Sequence, residues 1–199
     1  MADLSDLLVS KVRVKMLTLF FEKTTEMFYV REITRLVKEE INAVRRELDR
    51  MLECGLLKSE QRANRLYYYL NKKYLYYQEL QRMIAKTSGL GKKIRKYRRK
   101  LGDLSYVVFT GAFLNQNKVN KDDLDILVVG EVVLPELEAL IKTHEKEFGR
   151  EINYAILATE EFEFRKARRD PFIMEAMYGV RAMVIGDELE FCHRELPVI

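Results

Sequence analysis

The chain has 199 residues, of which 48% are hydrophobic and 33% are charged, a balance typical of a globular protein. It has neither an apolar run of about 18 residues nor a basic leader followed by an apolar stretch, so we expect a cytoplasmic protein with no membrane segment. The two cysteines are isolated and only two histidines accompany them, which excludes a structural zinc site.

The net charge of +4 hides an asymmetry between the two halves. Residues 1–100 carry 24 Lys and Arg against 12 Asp and Glu, a net charge of +12. Residues 101–199 carry 11 against 19, a net charge of −8. Opposite signs indicate two domains with different tasks, and the basic one is the candidate for a polyanionic partner. The small, flexible segment "TSGLG" (87–91) predicts domains at 1–88 and 89–199.

The first three segments of the basic half alternate between helix and strand signals. "LLVSKVRVKMLTLFF" (7–21) has a helical stripe of apolar residues, and "MFYV" (27–30) is extended. "REITRLVK" (31–38) then predicts a short helix. The residues that it is expected to turn inward are Ile33, Leu36 and Val37.

A longer helix and a hairpin follow. "INAVRRELDRMLECGLL" (41–57) is expected to begin at Asn42, a good N-cap residue, and to stop at Gly55. "LKSEQRANRLYYYL" (57–70) contains two β-prone runs around a polar turn at 62–65. The residues of the helix that face the core are expected to be Val44, Leu48, Met51 and Leu52.

The order helix, strand, helix, helix and hairpin is that of an α+β winged helix-turn-helix. Residues 7–86 resemble the winged-helix domains of bacterial and archaeal repressors of the arsenic-repressor type. The stretch that carries the resemblance is "VREITRLVKEEINAVRRELDRMLECGLL" (30–57), and its most typical part is Leu48-x-x-Met51-x-x-x-Gly55-Leu56-Leu57. The resemblance implies a homodimer bound to double-stranded DNA, because operators of such repressors are two-fold repeats.

Candidate DNA contacts lie on the outward side of helix 41–57 and on the hairpin turn. A recognition helix reads base edges in the major groove, where Arg pairs with guanine and Asn with adenine, and the turn would contact the backbone or the minor groove as a wing. The predicted DNA-binding residues are Asn42, Arg45, Arg46, Arg50, Arg62, Asn64 and Arg65. Asp49 shares the helix face and would repel phosphates. The alternative is a solvated face used only for dimer contacts.

A strongly basic segment, "KKIRKYRRK" (92–100), ends this half. Its apolar residues keep the spacing of one helix side, with Leu101 continuing the side, and its other positions are basic. A solvated helix face is one interpretation. Phosphate contacts, to DNA or to a nucleotide, are the other.

The acidic half predicts an α/β or α+β domain with a mixed sheet and helices. "SYVVFTG" (105–111), "DLDILVVG" (123–130) and "INYAILA" (152–158) are strand-like, and "LPELEALIKTHEKEF" (134–148) is an amphipathic helix. Helices at about 160–169 and 171–178 and a last strand at 180–186 complete the domain.

Residues 105–130 resemble the minimal nucleotidyltransferases of the DNA polymerase β superfamily. That family has a strand, Gly-Ser or Gly-Gly, a linker of roughly ten residues, and Asp-x-Asp or Asp-x-Glu on a second strand; this chain has Gly111-Ala112, ten residues, and Asp123-Leu124-Asp125. The resemblance implies that Asp123 and Asp125 share one strand face, hold Mg²⁺ and act in catalysis, and that Gly111 and Ala112 bind the phosphates of an NTP.

Two departures from the family pattern weaken the enzymatic expectation. Ala112 lacks the hydroxyl of the usual Ser, and Asn153 stands where the family has a third carboxylate, which an amide cannot replace as a base or an anionic ligand. Glu151, two residues earlier, is the candidate substitute. Active nucleotidyl transfer, sensing of a nucleotide or metal without turnover, and a structural relic all remain open.

The sequence therefore favours a DNA-binding transcriptional regulator whose C-terminal nucleotidyltransferase-like domain is degenerate or senses a nucleotide. The alternative is a Mg²⁺-dependent nucleotidyltransferase that modifies a protein or a small molecule and uses the winged helix for autoregulation. A third interpretation is an interaction scaffold that uses both domains for assembly. Neither the operator nor the preferred nucleotide can be read from the residues.

Overall fold

The computed structural model describes residues 8–116 and 123–193 and is an α+β structure with two separate sheets. The chain divides into two compact units, Met1–Thr87 and Ser88–Ile199, one residue before the boundary expected from the sequence. Among the described residues, no helix is long and apolar enough to cross a membrane.

The N-terminal unit has the element order expected from the sequence. Its strands form an antiparallel sheet in the order β1-β3-β2, and the pair Arg62↔Arg65 closes the hairpin at the predicted turn. The elements are α1 (Lys11–Glu22), β1 (Phe28–Tyr29), α2 (Val30–Val37), α3 (Ile41–Glu53), β2 (Leu57–Arg62), β3 (Arg65–Leu70) and α4 (Tyr77–Thr87).

The core of this unit is built mainly from the inward sides of the helices. Phe20 of α1, Ile33 of α2 and Leu48 of α3 are fully buried, as the helical spacing predicts. Leu36 is an exception at 43% exposed, because Ile33 and Val37, four residues apart, form the buried line of this short helix. The prediction that Leu36 faces inward is therefore wrong.

Both ends of α3 have an identifiable cause. The side chain of Glu40 accepts hydrogen bonds from the backbone N–H groups of Asn42 (2.8 Å) and Ala43 (2.9 Å), and these bonds hold the pKa of Glu40 below its ordinary value. Asn42 lies in the first turn, so its prediction as the N-cap is wrong. After the helix, Gly55 adopts a left-handed φ of +77°, which confirms it as the stop signal.

The C-terminal unit wraps helices around a mixed sheet of order β6-β5-β4-β7, in which β5 and β6 are parallel and the other neighbours antiparallel. Val108 and Val129, on the two central strands, are fully buried, as expected for strands covered on both faces. The elements are α5 (Gly89–Leu101), β4 (Gly102–Thr110), α6 (Gly111–Asn115), β5 (Ile126–Val132), α7 (Leu134–Phe148), β6 (Tyr154–Leu157), α8 (Thr159–Ala167), α9 (Pro171–Tyr178), β7 (Arg181–Ile185) and α10 (Glu188–Cys192).

Several element boundaries in this unit differ from those predicted, and three of them bear on the basic helix and the aspartate site. Residues 89–91 are the first turn of α5 and not a flexible linker. β5 begins at Ile126 and β6 at Tyr154, so the aspartates and Asn153 come before their strands. Asp125 lies at the limit of the ladder, since its backbone N–H still donates to the carbonyl of Asn153 (2.8 Å).

Candidate functional site

The outward side of α3 carries the residues predicted to contact DNA. Val44, Leu48 and Met51 are buried on its core side. Among the described residues, Arg45 and Arg46 make no ion pair, so both guanidinium groups are available to a polyanion. The exposed residues of the outward side are Asn42, Arg45, Arg46, Asp49 and Arg50.

A buried carboxylate, Glu47, fixes α3 against the start of α1. It is 4% exposed and accepts hydrogen bonds from Ser10 Oγ (2.9 Å), Arg13 Nε (2.8 Å) and Arg50 Nη1 (3.1 Å). Burial opposes its ionisation, but the bonds from Arg13 and Ser10 outweigh burial and hold the pKa of Glu47 below its ordinary value. These hydrogen bonds therefore orient α3 and hold the guanidinium of Arg50 against Glu47.

The tip of the β2–β3 hairpin exposes the second predicted group, Arg62, Asn64 and Arg65. Arg62 pairs with the carboxylate of Glu60 at 2.9 Å, and the guanidinium of Arg65 lies 4.6 Å from the centre of the Tyr29 ring. These contacts preorganise both arginines and leave guanidinium N–H groups that can bind a phosphate. The structure thus gathers all seven predicted residues on two exposed elements of one unit.

In the C-terminal unit, Asp125 is committed to protein donors. It is 0% exposed. Its Oδ1 accepts a hydrogen bond from Arg150 Nη2 (2.9 Å) and its Oδ2 one from the backbone N–H of Asn153 (2.9 Å). The guanidinium supplies the positive charge that the resemblance assigns to a divalent ion. Arg150 therefore already neutralises the carboxylate that the resemblance assigns to a metal ion.

Asp123 has a different environment, because it lines a cavity of about 300 Å³ that Asp125 does not line. Gly111 and Ala112 form part of the same wall, and α9 contributes Phe172 and Glu175. Both aspartates precede β5, so the alternation of side chains along a strand does not by itself place them on one face. What remains is a small half-apolar cavity with the carboxylates of Asp123 and Glu175 at its border, at the lower limit of volumes that hold small ligands.

The other predicted elements of the nucleotide site are placed as follows. Asn153 donates from Nδ2 to the carbonyl of Asp123 (3.1 Å) and so holds the aspartate segment, while Glu151 is exposed. Gly111 begins α6 with a φ outside the left-handed region, so its backbone does not require glycine. Residues 117–122 of the linker lie outside the described residues. Within the described chain no three Asp, Glu, His or Cys residues are grouped to hold a metal ion.

A buried histidine that the sequence did not single out lies behind this region. His144 of α7 is 5% exposed, and its ring centroid lies 4.1 Å from that of Phe148 and 6.0 Å from that of Phe113. Its Nδ1 has no hydrogen-bond partner among the described residues, since Glu147 Oε2 is 3.9 Å away. The side chain is therefore held as a neutral ring in an aromatic setting.

We predict that His144 makes the stability of the protein fall with acidification. Burial, followed by the charge of Lys93, lowers the pKa of His144 to about 4 from its ordinary 6.5. Because the unfolded chain binds this proton more readily, the contribution is complete above pH 6.5 and is lost as the pH falls to about 4. The loss is about 3 kcal/mol.

The measurement is urea unfolding, followed by circular dichroism across this pH range, for wild type and His144→Leu. Only the wild type should show the decrease in the free energy of unfolding with falling pH that is attributable to His144. His193→Gln, which changes the exposed histidine, serves as the control and should behave as wild type. Equal slopes for wild type and His144→Leu would contradict the prediction.

Besides His144, two residues of the C-terminal site were missed from the sequence. Arg150 stands alone after Gly149 with no motif to mark it, and its partner Asp125 is 25 residues away. Glu175 lies on a short apolar helix that no motif connects with the aspartates. One signal could have indicated the ion pair: Arg150 lies shortly before β6, and β6 pairs with β5, the strand that follows the aspartates.

Comparisons with models of protein families, with curated proteins and with solved structures found no match to this chain. The resemblances to winged-helix repressors and to nucleotidyltransferases rest on the quoted motifs. The features that bear on function are therefore the basic surface of the N-terminal unit and the carboxylates of the C-terminal unit.

Proposed function

We propose that this protein is a DNA-binding transcriptional regulator, that its N-terminal unit is a winged helix-turn-helix, and that it binds a two-fold repeated site as a homodimer. The observation that carries the proposal is the exposed side of α3, where Asn42, Arg45 and Arg46 face solvent on a helix fixed from behind by buried residues. We expect it in the cytoplasm, where it would meet the chromosome.

The chemistry of this surface supports duplex DNA over other anionic partners. An exposed helix fits the major groove, and Arg and Asn are the side chains that pair in a bidentate way with guanine and adenine. Arg62 and Arg65, on the β2–β3 hairpin of the same unit, would add the phosphate contacts that position such a helix. The carboxylate of Asp49 on the α3 face fits acceptance from cytosine N4.

The C-terminal unit is proposed to be a nucleotidyltransferase-like domain that has lost the two-metal centre. The support is the ion pair between Asp125 and Arg150, which uses one of the two motif carboxylates for structure. The cavity beside Asp123 is retained, and with it the capacity to bind a small ligand that tunes DNA binding.

The test of the regulator is selection of bound sequences from a randomised duplex library by the full-length protein. We expect an inverted repeat whose half-sites are centred about 10 base pairs, or a multiple, apart, which is the geometry of a two-fold dimer on B-DNA. Sedimentation of the selected complex should give two chains per duplex. A protein that enriches no sequence would overturn the proposal.

The second candidate, a Mg²⁺-dependent nucleotidyltransferase, is favoured by the cavity that Gly111, Ala112 and Asp123 line together. It predicts transfer of label from an NTP to a protein or small-molecule acceptor in Mg²⁺, abolished by Asp123→Asn. We expect no transfer by the wild type, because Asp125 is occupied by Arg150. Transfer that Asp123→Asn abolishes and that Glu136→Gln retains, at an exposed carboxylate that does not line the cavity, would establish the enzyme instead.

A further inference from the structure

The basic segment 92–100 belongs to the C-terminal unit, which changes the charge balance of the two units. Met1–Thr87 carries 17 Lys and Arg against 12 Asp and Glu, and Ser88–Ile199 carries 18 against 19. Seven of those 18 cations lie on α5, which has no acidic residue. A unit that is otherwise strongly acidic thus presents one concentrated basic helix.

The two sides of α5 are clearly different. Leu90, Ile94 and Leu101 are buried on its inner side, and the Nζ atom of Lys93 pairs with Glu147 of α7 at 2.8 Å. The opposite side exposes cations with helical spacing. These are Lys92, Lys96, Arg99 and Lys100.

Most of the charge on this exposed side is not neutralised within the part of the chain that the structure describes. Among the described residues Lys96, Arg99 and Lys100 make no ion pair; the two lysines lie 5.3 Å and 5.8 Å from the centre of the Tyr97 ring. The helix dipole favours the cations of the last turn, but it disfavours Lys92 near the first. Cations at i and i+4, such as Lys96 and Lys100, repel each other and destabilise a helix. An external polyanion would remove that repulsion.

We infer that the exposed side of α5, formed by Lys92, Lys96, Arg99 and Lys100, is a second DNA-binding surface that contacts the phosphate backbone without reading sequence. From Lys92 to Arg99 the stripe runs roughly 10 Å along the helix. B-DNA presents a phosphate about every 3.4 Å of its axis on each strand, so the stripe can meet two or three phosphates. The contacts are charge contacts, because lysines predominate and no Asn or Gln on the helix can pair with a base.

This surface deepens the proposed function, since it would add affinity to a site that α3 selects. Only Ser88 separates α4 from α5 in the chain. Because the two units are covalently joined, binding of DNA by the N-terminal unit raises the effective concentration of DNA for α5. Phosphate binding by α5 does not depend on sequence recognition by α3, because a basic surface binds any duplex.

The experiment measures the affinity of the full-length protein for a fluorescent random-sequence duplex as a function of salt. The α5 variant is Lys96→Gln/Arg99→Gln/Lys100→Gln. The matched control, Lys142→Gln/Lys146→Gln/Arg168→Gln, removes the same charge from exposed positions of the same unit. We expect the negative slope of log affinity against log salt to become shallower by about 2 in the α5 variant, with more than a tenfold loss of affinity. In the control, both the slope and the affinity should change little.

Equal losses in the α5 variant and the control would overturn the inference, because they would show an effect of net charge alone. Tighter binding to a single-stranded or duplex RNA of the same length, lost in the α5 variant, would also overturn it and assign the surface to RNA. An Arg45→Ala/Arg46→Ala variant separates the two proposals. If it binds the selected duplex as wild type does while the α5 variant is weakened, the regulator fails and the α5 surface stands.

Discussion

Replacing Arg150 with alanine is expected to destabilise the C-terminal unit by about 3–5 kcal/mol, the range for removing one partner of a buried ion pair. The cause is the carboxylate of Asp125, which is 0% exposed and would be left charged without its counter-ion. Asp125→Asn should cost less, because the side chain of Arg150 is 26% exposed and can turn to water. The double variant should recover much of the loss of Arg150→Ala, since the two effects share one contact.

Hydrogen exchange followed by mass spectrometry can place this effect in the correct unit of the intact chain. Amides of β4 and β5 should exchange at least a hundredfold faster in Arg150→Ala, which corresponds to about 3 kcal/mol. Amides of α3, in the other unit, provide the internal control and should keep their wild-type rates. Unchanged exchange in β4 and β5 would show that the ion pair contributes nothing to stability.

The same variant distinguishes a structural ion pair from a suppressed metal site. Without Arg150, Asp125 loses its counter-ion and could take a divalent ion if the rest of the geometry permits it. We expect Mg²⁺ to leave the exchange of Arg150→Ala unchanged, because Asp123 lines the cavity and Asp125 does not. Recovery of protection in Mg²⁺ would contradict the loss of the metal centre.

The two units differ in how well local sequence predicts them. The prediction of the outward face of α3 is correct because the apolar residues Val44, Leu48 and Met51 repeat with the helical period over about two turns. That period alone decides which residues face out. The prediction of Asn42 as the N-cap is wrong because Glu40, which is outside the usual set of capping residues, accepts hydrogen bonds from two backbone N–H groups of the first turn. A helix is largely a local structure, so its faces can be predicted from nearby residues. Only the start of α3 could not, because a less common capping residue determines it.

The aspartate site could not be predicted in the same way, because its state depends on distant residues. The run "ILVVG" identifies a buried strand, but where pairing stops depends on Asn153 and Thr110, which lie in neighbouring strands or next to them. Whether Asp125 meets a metal ion or a guanidinium depends on Arg150. A motif spacing indicates the ancestry of a site, whereas its present chemistry depends on contacts between segments far apart in sequence.

Replacing Arg45 or Arg46 with alanine is expected to weaken binding to the selected duplex by about 1–3 kcal/mol each and to relax the base preference at one position of each half-site. The reason is that an arginine paired with guanine is a contact that other bases cannot replace. Arg62→Ala and Arg65→Ala should instead weaken binding to all duplexes similarly, because a wing contacts the phosphate backbone.

Fluorescence anisotropy with the selected duplex and with single-base variants of it measures both effects at one fixed salt concentration. Lys142→Ala/Lys146→Ala, which removes two exposed cations from the C-terminal unit, corrects for net charge and should change affinity little. The informative quantity is the ratio of affinities for the selected and altered duplexes, since net charge cancels from it. If the α3 variants lowered affinity without changing that ratio, α3 would be a phosphate-contacting helix, and the base readout would have to come from another element.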